Sequence, residues 1–347
     1  MLAKNNILKD KRILVTGGTG FVGSYILRYL IKKDYSNVHS LKRNNSKTDL
    51  IADIEKEITF HNADINDIPA LEEAVKDMDY VIHTAAVVSF RPKDRNKMMK
   101  VNVEGTANLV NICLDNGIKK LIHISSIASL GRKESGKIID ENTEWEDSST
   151  NSDYSISKYL SEMEVWRGFT EGLDMAILNP SMIMGAGYWD IGTNEIIKKV
   201  NNGLKFYPTG TNGFVDVRDV AEMAILLIEK DISGERFICS AENIKLEKLL
   251  NEIALGLGKK PPKIKLSRSL MSVAAFFIDL ISLFPGYNSN LSSQSIKNAF
   301  FDSLYDNSKS KEVLGFEYRD INKTLTETAE LFKNTYPEGK DFAVLEL

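Results

Sequence analysis

The apolar positions change period along the chain, and each change marks an element. Ile13, Leu14 and Val15 form a short continuous run between Lys11-Arg12 and a cluster of glycines. Behind the cluster, Val22, Ile26, Leu27, Leu30 and Ile31 recur at helical spacing. A strand over 13–15 and a following helix are predicted. Further apolar runs predict strands over 37–41, 58–63, 80–83, 120–124 and 175–178. Between them helices are predicted over 70–76, opened by Pro69, and over 95–116 and 154–169. A mostly polar loop fills 132–152. Strand and helix alternate from 11 to 179, which predicts a parallel, doubly wound α/β sheet with right-handed crossovers. Past 180 the alternation loosens, and Gly185, Gly187, Gly192 and Gly203 interrupt it. A strand running into a helix is expected over 214–230 and a short strand over 236–239. Helices are expected near 246–257, 269–284 and 322–334.

The glycines stand at the first strand-to-helix junction, as Thr16-Gly17-Gly18-Thr19-Gly20-Phe21-Val22-Gly23. A dinucleotide pyrophosphate must approach backbone N–H groups closely at such a turn, and the positive end of the next helix favours its charge. A Cβ would block that approach, and a third glycine lets the helix pack on the strand. The Gly17-x-x-Gly20-x-x-Gly23 spacing differs from G-x-G-x-x-G. Its T-G-G-x-G-x-x-G form resembles the extended branch of the short-chain dehydrogenase/reductase superfamily. Thr16, Gly17, Gly20, Phe21, Val22 and Gly23 are therefore the expected cofactor cradle. The fold expected is a Rossmann-type sheet in an NAD(P)-binding domain over 1–180, with a return segment around 204–242. A smaller α/β substrate-binding lobe over 181–347 is expected to interleave with it. Ligands of such sheets sit beyond the carboxyl ends of the strands. The segments 16–23, 42–43, 64–65, 84–86, 125–126 and 179–181 all fall at such ends.

The end of the second strand lies roughly twenty residues past the glycine turn, where binders of NAD place a carboxylate for the ribose hydroxyl. Lys42 and Arg43 stand there instead. A guanidinium can grip a 2′-phosphate bidentately, so NADP(H) is the expected cofactor, with Lys47 in support and NAD(H) as the alternative. The plain alternative for these cations is a solvated strand end. The resemblance implies that Asp64 and Ile65 hold the adenine and that Thr84, Ala85 and Ala86 pass the cofactor ribose. For Asp64 a turn or cap is the competing reading.

Tyr154 and Lys158, four residues apart, share one helix face. A phenol with a free pKa of about 10 is a poor acid near neutrality, and a nearby cation would lower that value. Ser125, at the end of the fifth strand, is the candidate to hold the same substrate oxygen. Tyr29 and Lys33 have the same spacing and are expected on the surface. Ser125, Tyr154 and Lys158 resemble the family's catalytic set. The resemblance makes Tyr154 the proton donor to a carbonyl, Lys158 the ligand of the nicotinamide ribose, and Asn179, Pro180 and Ser181 the flank of the nicotinamide. Asn102-Val103-Glu104-Gly105-Thr106 resembles a further family segment.

The chain is most similar to the dihydroflavonol-reductase-like group, on Arg43 and Leu178-Asn179-Pro180-Ser181. That group implies NADP(H)-dependent reduction of a ketone or aldehyde. Phe90, Tyr188, Trp189 and Phe206, with an apolar helix over 272–284, favour an apolar or aromatic substrate. The alternatives are a sugar-nucleotide epimerase or dehydratase with tightly held NAD, steroid-dehydrogenase-like alcohol oxidation, and a non-catalytic NADP(H) sensor.

Composition narrows the partners. The net charge is −4 over 347 residues, without a basic stripe, so nucleic acid is not expected. Two cysteines, Cys113 and Cys239, give no disulfide framework and fit a reducing, cytoplasmic setting. His39, His61, His83 and His123 show no metal spacing, so no metal is expected. Residues 1–10 are polar and carry no secretory h-region. The longest apolar run, within 273–284, holds Asp279 and is too short to span a bilayer. Peripheral membrane contact is its minor reading, because Lys263, Lys265 and Arg268 precede it. A homodimer through the helices 95–116 and 154–169 is the oligomer the resemblance favours.

Overall fold

The computed structural model describes residues 8–131, 134–148, 151–267 and 299–347. Its first half runs β1 (Arg12–Thr16), α1 (Phe21–Lys32), β2 (Asn37–Lys42), β3 (Thr59–Asn62), α2 (Ile68–Val75) and β4 (Tyr80–His83). Then come α3 (Gly105–Asp115), β5 (Lys120–Ile124), β6 (Ile138–Ile139), α4 (Asp153–Thr170) and β7 (Met175–Pro180). The second half adds β8 (Met182–Met184), α5 (Asn194–Asn201), β9 (Phe206–Tyr207), β10 (Thr211–Asp216), α6 (Val217–Glu229) and β11 (Glu235–Cys239). It continues with β12 (Glu242–Lys245), α7 (Leu246–Gly256), β13 (Ile264–Lys265), β14 (Leu304–Tyr305), α8 (Ser308–Leu314) and α9 (Ile321–Thr335).

The main sheet is parallel throughout, in the order β11-β7-β5-β4-β1-β2-β3. The doubly wound α/β fold expected from the alternation is thus present. Chain order reverses between β1 and β4, which opens a crevice over the carboxyl ends of those two strands. Strand residues alternate between two cores. Ile13 and Val15 join one with Tyr25, Ile26 and Leu27 of α1 and Val220 and Ala224 of α6. Leu14, between them, joins the other with Leu71, Leu109, Val110 and Val165 of α2, α3 and α4. β5 and β7 are buried on both faces, which explains why their runs are apolar without alternation.

Helix starts follow local chemistry. Pro69 stands in the first turn of α2, whose cap Asp67 accepts from Ala70 N at 3.4 Å. Ser152 caps α4 by accepting from Ser155 N at 3.1 Å. The helix expected over 95–116 is interrupted: Arg95–Met98 leads into a π-helical stretch, Met99–Glu104, before α3. The polar loop contains β6, which pairs with β14. No local periodicity marks so short a strand. β11 pairs with β7, so residues after 181 complete the main sheet. β8, β10 and β12 form a second, three-stranded sheet.

Three expectations need correction. Tyr29 is not at the surface: it is 4% exposed, and its hydroxyl accepts from Arg319 Nη2 at 2.7 Å. The cause is α1 packing under the segment before α9. Trp189 is fully buried against Phe332 and belongs to the core. Tyr188 donates to Asp49 Oδ2 at 2.9 Å, so its polar end is committed to the fold. The helix 269–284, with its apolar run, lies outside the described residues. Among the described residues no helix is long and apolar enough to cross a membrane.

Far-separated segments are tied to α1. Tyr25 Oη donates to Ala186 O at 2.8 Å and accepts from Leu345 N at 2.8 Å. Arg218, at the start of α6, meets Asp216 and Glu327, and its Nη1 donates to Glu346 O at 3.0 Å.

Candidate active site

The crevice begins at the glycine turn. Gly17 holds φ +70°, and a Cβ there would lie 2.8 Å from Ala85 N. A Cβ on Gly23 would lie 2.2 Å from Gly17 O, so α1 sits directly on the turn. The N-terminus of α1 has Gly20 as its cap, with no side-chain cap bond and no acidic residue in the first turn. The amides of Phe21 and Val22 therefore face the turn with a positive helix end behind them, a cradle fitted to a pyrophosphate. Thr16 has a different task. Fully buried, its Oγ1 accepts from Ala85 N at 3.3 Å and meets His83 Nδ1 at 2.7 Å. His83 Nε2 meets Thr106 Oγ1 at 3.0 Å, and that hydroxyl is itself committed to Asn102 O. Burial lowers His83 to about 3, so the ring is neutral and works as a fixed bridge between β1, β4 and α3.

At the ends of β2 and β3 the cations already have partners. Lys42 Nζ lies 3.7 Å from Glu55 and 4.3 Å from the Phe60 ring centroid. Arg43 Nη1 stands 3.9 Å from Asp64 Oδ2, with both side chains about half exposed to solvent. Asp64 Oδ1 accepts from Asn66 N at 3.0 Å, so Asp64 also shapes its own turn. Ile65 is 6% exposed and packs on Gly105. Lys47 lies over the Tyr188 ring, 5.3 Å from its centroid. Thr84 and Ala85, beside Gly17, are half-buried, and Ala86 after them is exposed.

α4 carries the candidate pair, Tyr154 and Lys158. Lys158 is 3% exposed and donates to Ile124 O at 2.9 Å. Burial lowers its ammonium to about 8, with the Glu162 carboxylate acting in the opposite sense. Burial raises the Tyr154 phenol, and a hydrogen bond with Ser126 pulls it back. The influences on the phenol are burial and Ser126 and not the expected one of Lys158, and with burial the larger, Tyr154 keeps its proton at neutral pH. The structure brings Ser126, not Ser125, to Tyr154. Ser125 Oγ turns inward, donating to Glu162 Oε2 at 2.7 Å, 3.1 Å from Ser129 Oγ. The two serines are adjacent at a strand end, where successive side chains face opposite ways, and that alternation was the signal for choosing between them. Asn179 Nδ2 donates to Ser126 O at 3.1 Å and to Glu162 Oε2 at 2.8 Å. Pro180 and Ser181 follow it, buried, at the seam between β7 and β8.

The loop after β4 forms the outer wall. Asn102, in the π-helical stretch, accepts from Val87 N at 2.7 Å and donates to Val87 O at 2.9 Å and Ser157 Oγ at 3.0 Å. A π-turn is often a functional feature, and here it aims one amide at both loop and α4. The loop thereby presents exposed Val88 and Phe90, and Phe90 stands edge-on to Tyr154 with centroids 5.6 Å apart. Of the four aromatics expected at the substrate, Phe90 is the one in ring contact with Tyr154; Phe206 is half-exposed on β9.

A glycine turn with an uncapped helix end thus stands at the end of β1, and a hydroxyl pair with a buried lysine at the end of β5. The model of the NAD dependent epimerase/dehydratase family matches residues 13–239. The chain belongs to that family. Its enzymes form the extended branch of the short-chain dehydrogenases/reductases, and this member is an oxidoreductase with reductase relatives. A Synechocystis sp. protein named dihydroflavonol 4-reductase-like is 30% identical, covering 92% of this chain and 94% of its own. The sterol demethylase protein B of Methylococcus capsulatus is 28% identical over 87% of this chain and 92% of its own. Cinnamoyl-CoA reductase 1 of Petunia hybrida is 28% identical over 66% and 72%. The crystal structure of gox2253 superposes with a TM-score of 0.81 at 30% identity, covering 94% of this chain and 98% of that one. The UDP-glucose 4-epimerase of Thermotoga maritima shares the fold, with a TM-score of 0.75 at 22% identity.

Proposed function

We propose that this family member is an NADP(H)-dependent reductase of an apolar or aromatic ketone or aldehyde. The observation that carries the reading is the Tyr154–Ser126 hydroxyl pair, with buried Lys158 one turn on along α4 and Phe90 edge-on to Tyr154. The dinucleotide, held along the glycine turn and the ends of β1 and β4, supplies a hydride when bound. Tyr154 donates its proton to the carbonyl oxygen. Ser126 holds the same oxygen as it gains charge. Lys158 holds the cofactor ribose, and Phe90 with Val88 excludes water from one side. Relatives named as reductases of dihydroflavonol and cinnamoyl-CoA support an aromatic carbonyl compound. Dimerisation through α3 and α4 and a cytoplasmic setting belong to the same proposal.

Two experiments test it. Ser126→Ala is expected to lower kcat by about 10²-fold, as loss of one oxyanion donor does. Ser125→Ala instead lowers stability and leaves the chemical step closer to wild type. The reverse order would return the role to Ser125. For the cofactor, NADPH and NADH are titrated against wild type and Arg43→Ala. A preference for NADPH that the variant loses supports the phosphate reading. Equal binding favours NAD(H), and a specific observation already supports that second reading: Arg43 and Lys42 are both engaged by carboxylates.

A further inference from the structure

Glu162 has no task in the reaction described above, yet it is fully buried beside the reacting pair. A buried carboxylate is costly unless several donors satisfy it. This one is satisfied by four elements at once. Its Oε2 accepts from Ser125 Oγ at 2.7 Å, Ser129 Oγ at 2.6 Å and Asn179 Nδ2 at 2.8 Å. Its Oε1 accepts from Arg236 Nη1 at 3.1 Å. These donors lie at the end of β5, in the turn after it, at the end of β7 and on β11. Asn179 Nδ2, with its second proton, also donates to Ser126 O at 3.1 Å, and Ser129 Oγ lies 2.7 Å from the same carbonyl, its one proton shared between that oxygen and Glu162. The carboxylate therefore fixes the backbone on which the Ser126 hydroxyl is aimed. Tyr154, Lys158 and Glu162 also recur every four residues on one face of α4.

We propose that Glu162 is a positioning residue of this site: its carboxylate holds the Ser126 turn against Tyr154 and is the counter-charge of Lys158. The inference rests on the reading of Tyr154 and Lys158 as the reacting pair. The groups around Lys158 are Tyr154 and Glu162 on α4, His83 on β4 and His123 on β5, with Arg236 of β11 and Glu141 beyond Glu162. Burial lowers both histidines, which stay neutral near pH 7. Glu162 is left as the charge that acts on Lys158, and Arg236 competes for it.

The test is a titration of Lys158 by the ¹³Cε shift in lysine-labelled protein, assigned by loss of the signal in Lys158→Met. Glu162→Gln should lower the Lys158 midpoint by roughly one pH unit or more, the usual effect of losing a close opposite charge. Arg236→Gln should raise it, because it frees Glu162 for Lys158. Opposite shifts support the proposal. An unchanged midpoint in Glu162→Gln, or in Arg236→Gln if the first variant does not fold, overturns it. No turnover is needed for this readout. A shift in a protein that reduces no carbonyl supports the Glu162 link and counts against the reductase reading. An unchanged midpoint in an active reductase overturns the link alone.

Discussion

Tyr154→Phe is expected to abolish carbonyl reduction and to leave dinucleotide binding nearly intact. The phenol oxygen is the proposed proton donor, and its removal takes about 10²–10⁴-fold from kcat, or roughly 3–5 kcal/mol of transition-state stabilisation. The ring remains, so the edge contact with Phe90 and the packing of α4 persist. The proposed cofactor cradle is the turn before α1, an element apart from the helix that carries this hydroxyl. Single-turnover kinetics with NADPH, beside a fluorescence titration of the same variant, separate the two effects. Turnover preserved within a few-fold of wild type would remove Tyr154 from the mechanism. The wild-type profile carries a second mark. Lys158 is lowered to about 8, so its ammonium is present below that pH and lost above it. Reduction should therefore decline on the alkaline side from about pH 8, well below the ordinary lysine range of about 10.4.

Gly23→Ala should damage both the fold and the cofactor site. The new methyl would stand 2.2 Å from Gly17 O and 2.7 Å from Gly18 Cα, and both are backbone atoms that cannot swing away. α1 must move off the turn, and overpacking of this kind costs about 1–3 kcal/mol or more. The same movement withdraws the Phe21 and Val22 amides from the position of the pyrophosphate. Denaturant unfolding and NADPH titration of the variant should both show losses. A variant with wild-type stability and affinity would mean that α1 does not seat on the turn as described. Gly20→Ala is the control for the unfolding measurement alone, since its nearest contact would be 3.2 Å, while its place in the cradle leaves NADPH binding weakened there too.

Much of this was legible in the chain because the signals are local. The alternation of apolar runs gave the parallel sheet, and a glycine turn between strand and helix located the crevice. Tyr154 and Lys158 were readable as one helix face. The choice between Ser125 and Ser126 is only half legible: strand alternation says that the two face opposite ways, but which of them faces Tyr154 depends on how the strand end meets α4. Glu162 was within reach: it continues the four-residue spacing of Tyr154 and Lys158, and a carboxylate on a core-facing stripe calls for partners. Its partners Ser129, Asn179 and Arg236 come from separate elements, which no local pattern reveals. Arg43 is the opposite case. The sequence shows free cations at the second strand, whereas the fold supplies Asp64 to Arg43 and Glu55 to Lys42 from residues that periodicity does not place beside them. Trp189 and Tyr29 were misplaced for the same reason, since α9 and the segment before it cover them.

The Tyr25 hydroxyl joins α1 to Ala186 and Leu345, across sequence separations of 161 and 320 residues. Such contacts close only after very long loops, so they form late and their loop entropy slows the search. During synthesis β1 to β7 emerge ahead of Ala186, β11 and Leu345, the partners that complete the sheet edge and the Tyr25 bonds. β1 to β7 can collapse early, but the sheet edge stays open until β11 arrives, and α1 keeps an unsatisfied phenol until both distant segments dock. Nucleotide present in that interval would bind the glycine turn and protect the half-built sheet. Refolding in the presence of NADPH should accordingly give a higher yield than refolding without it, by mass action on the native-like cradle.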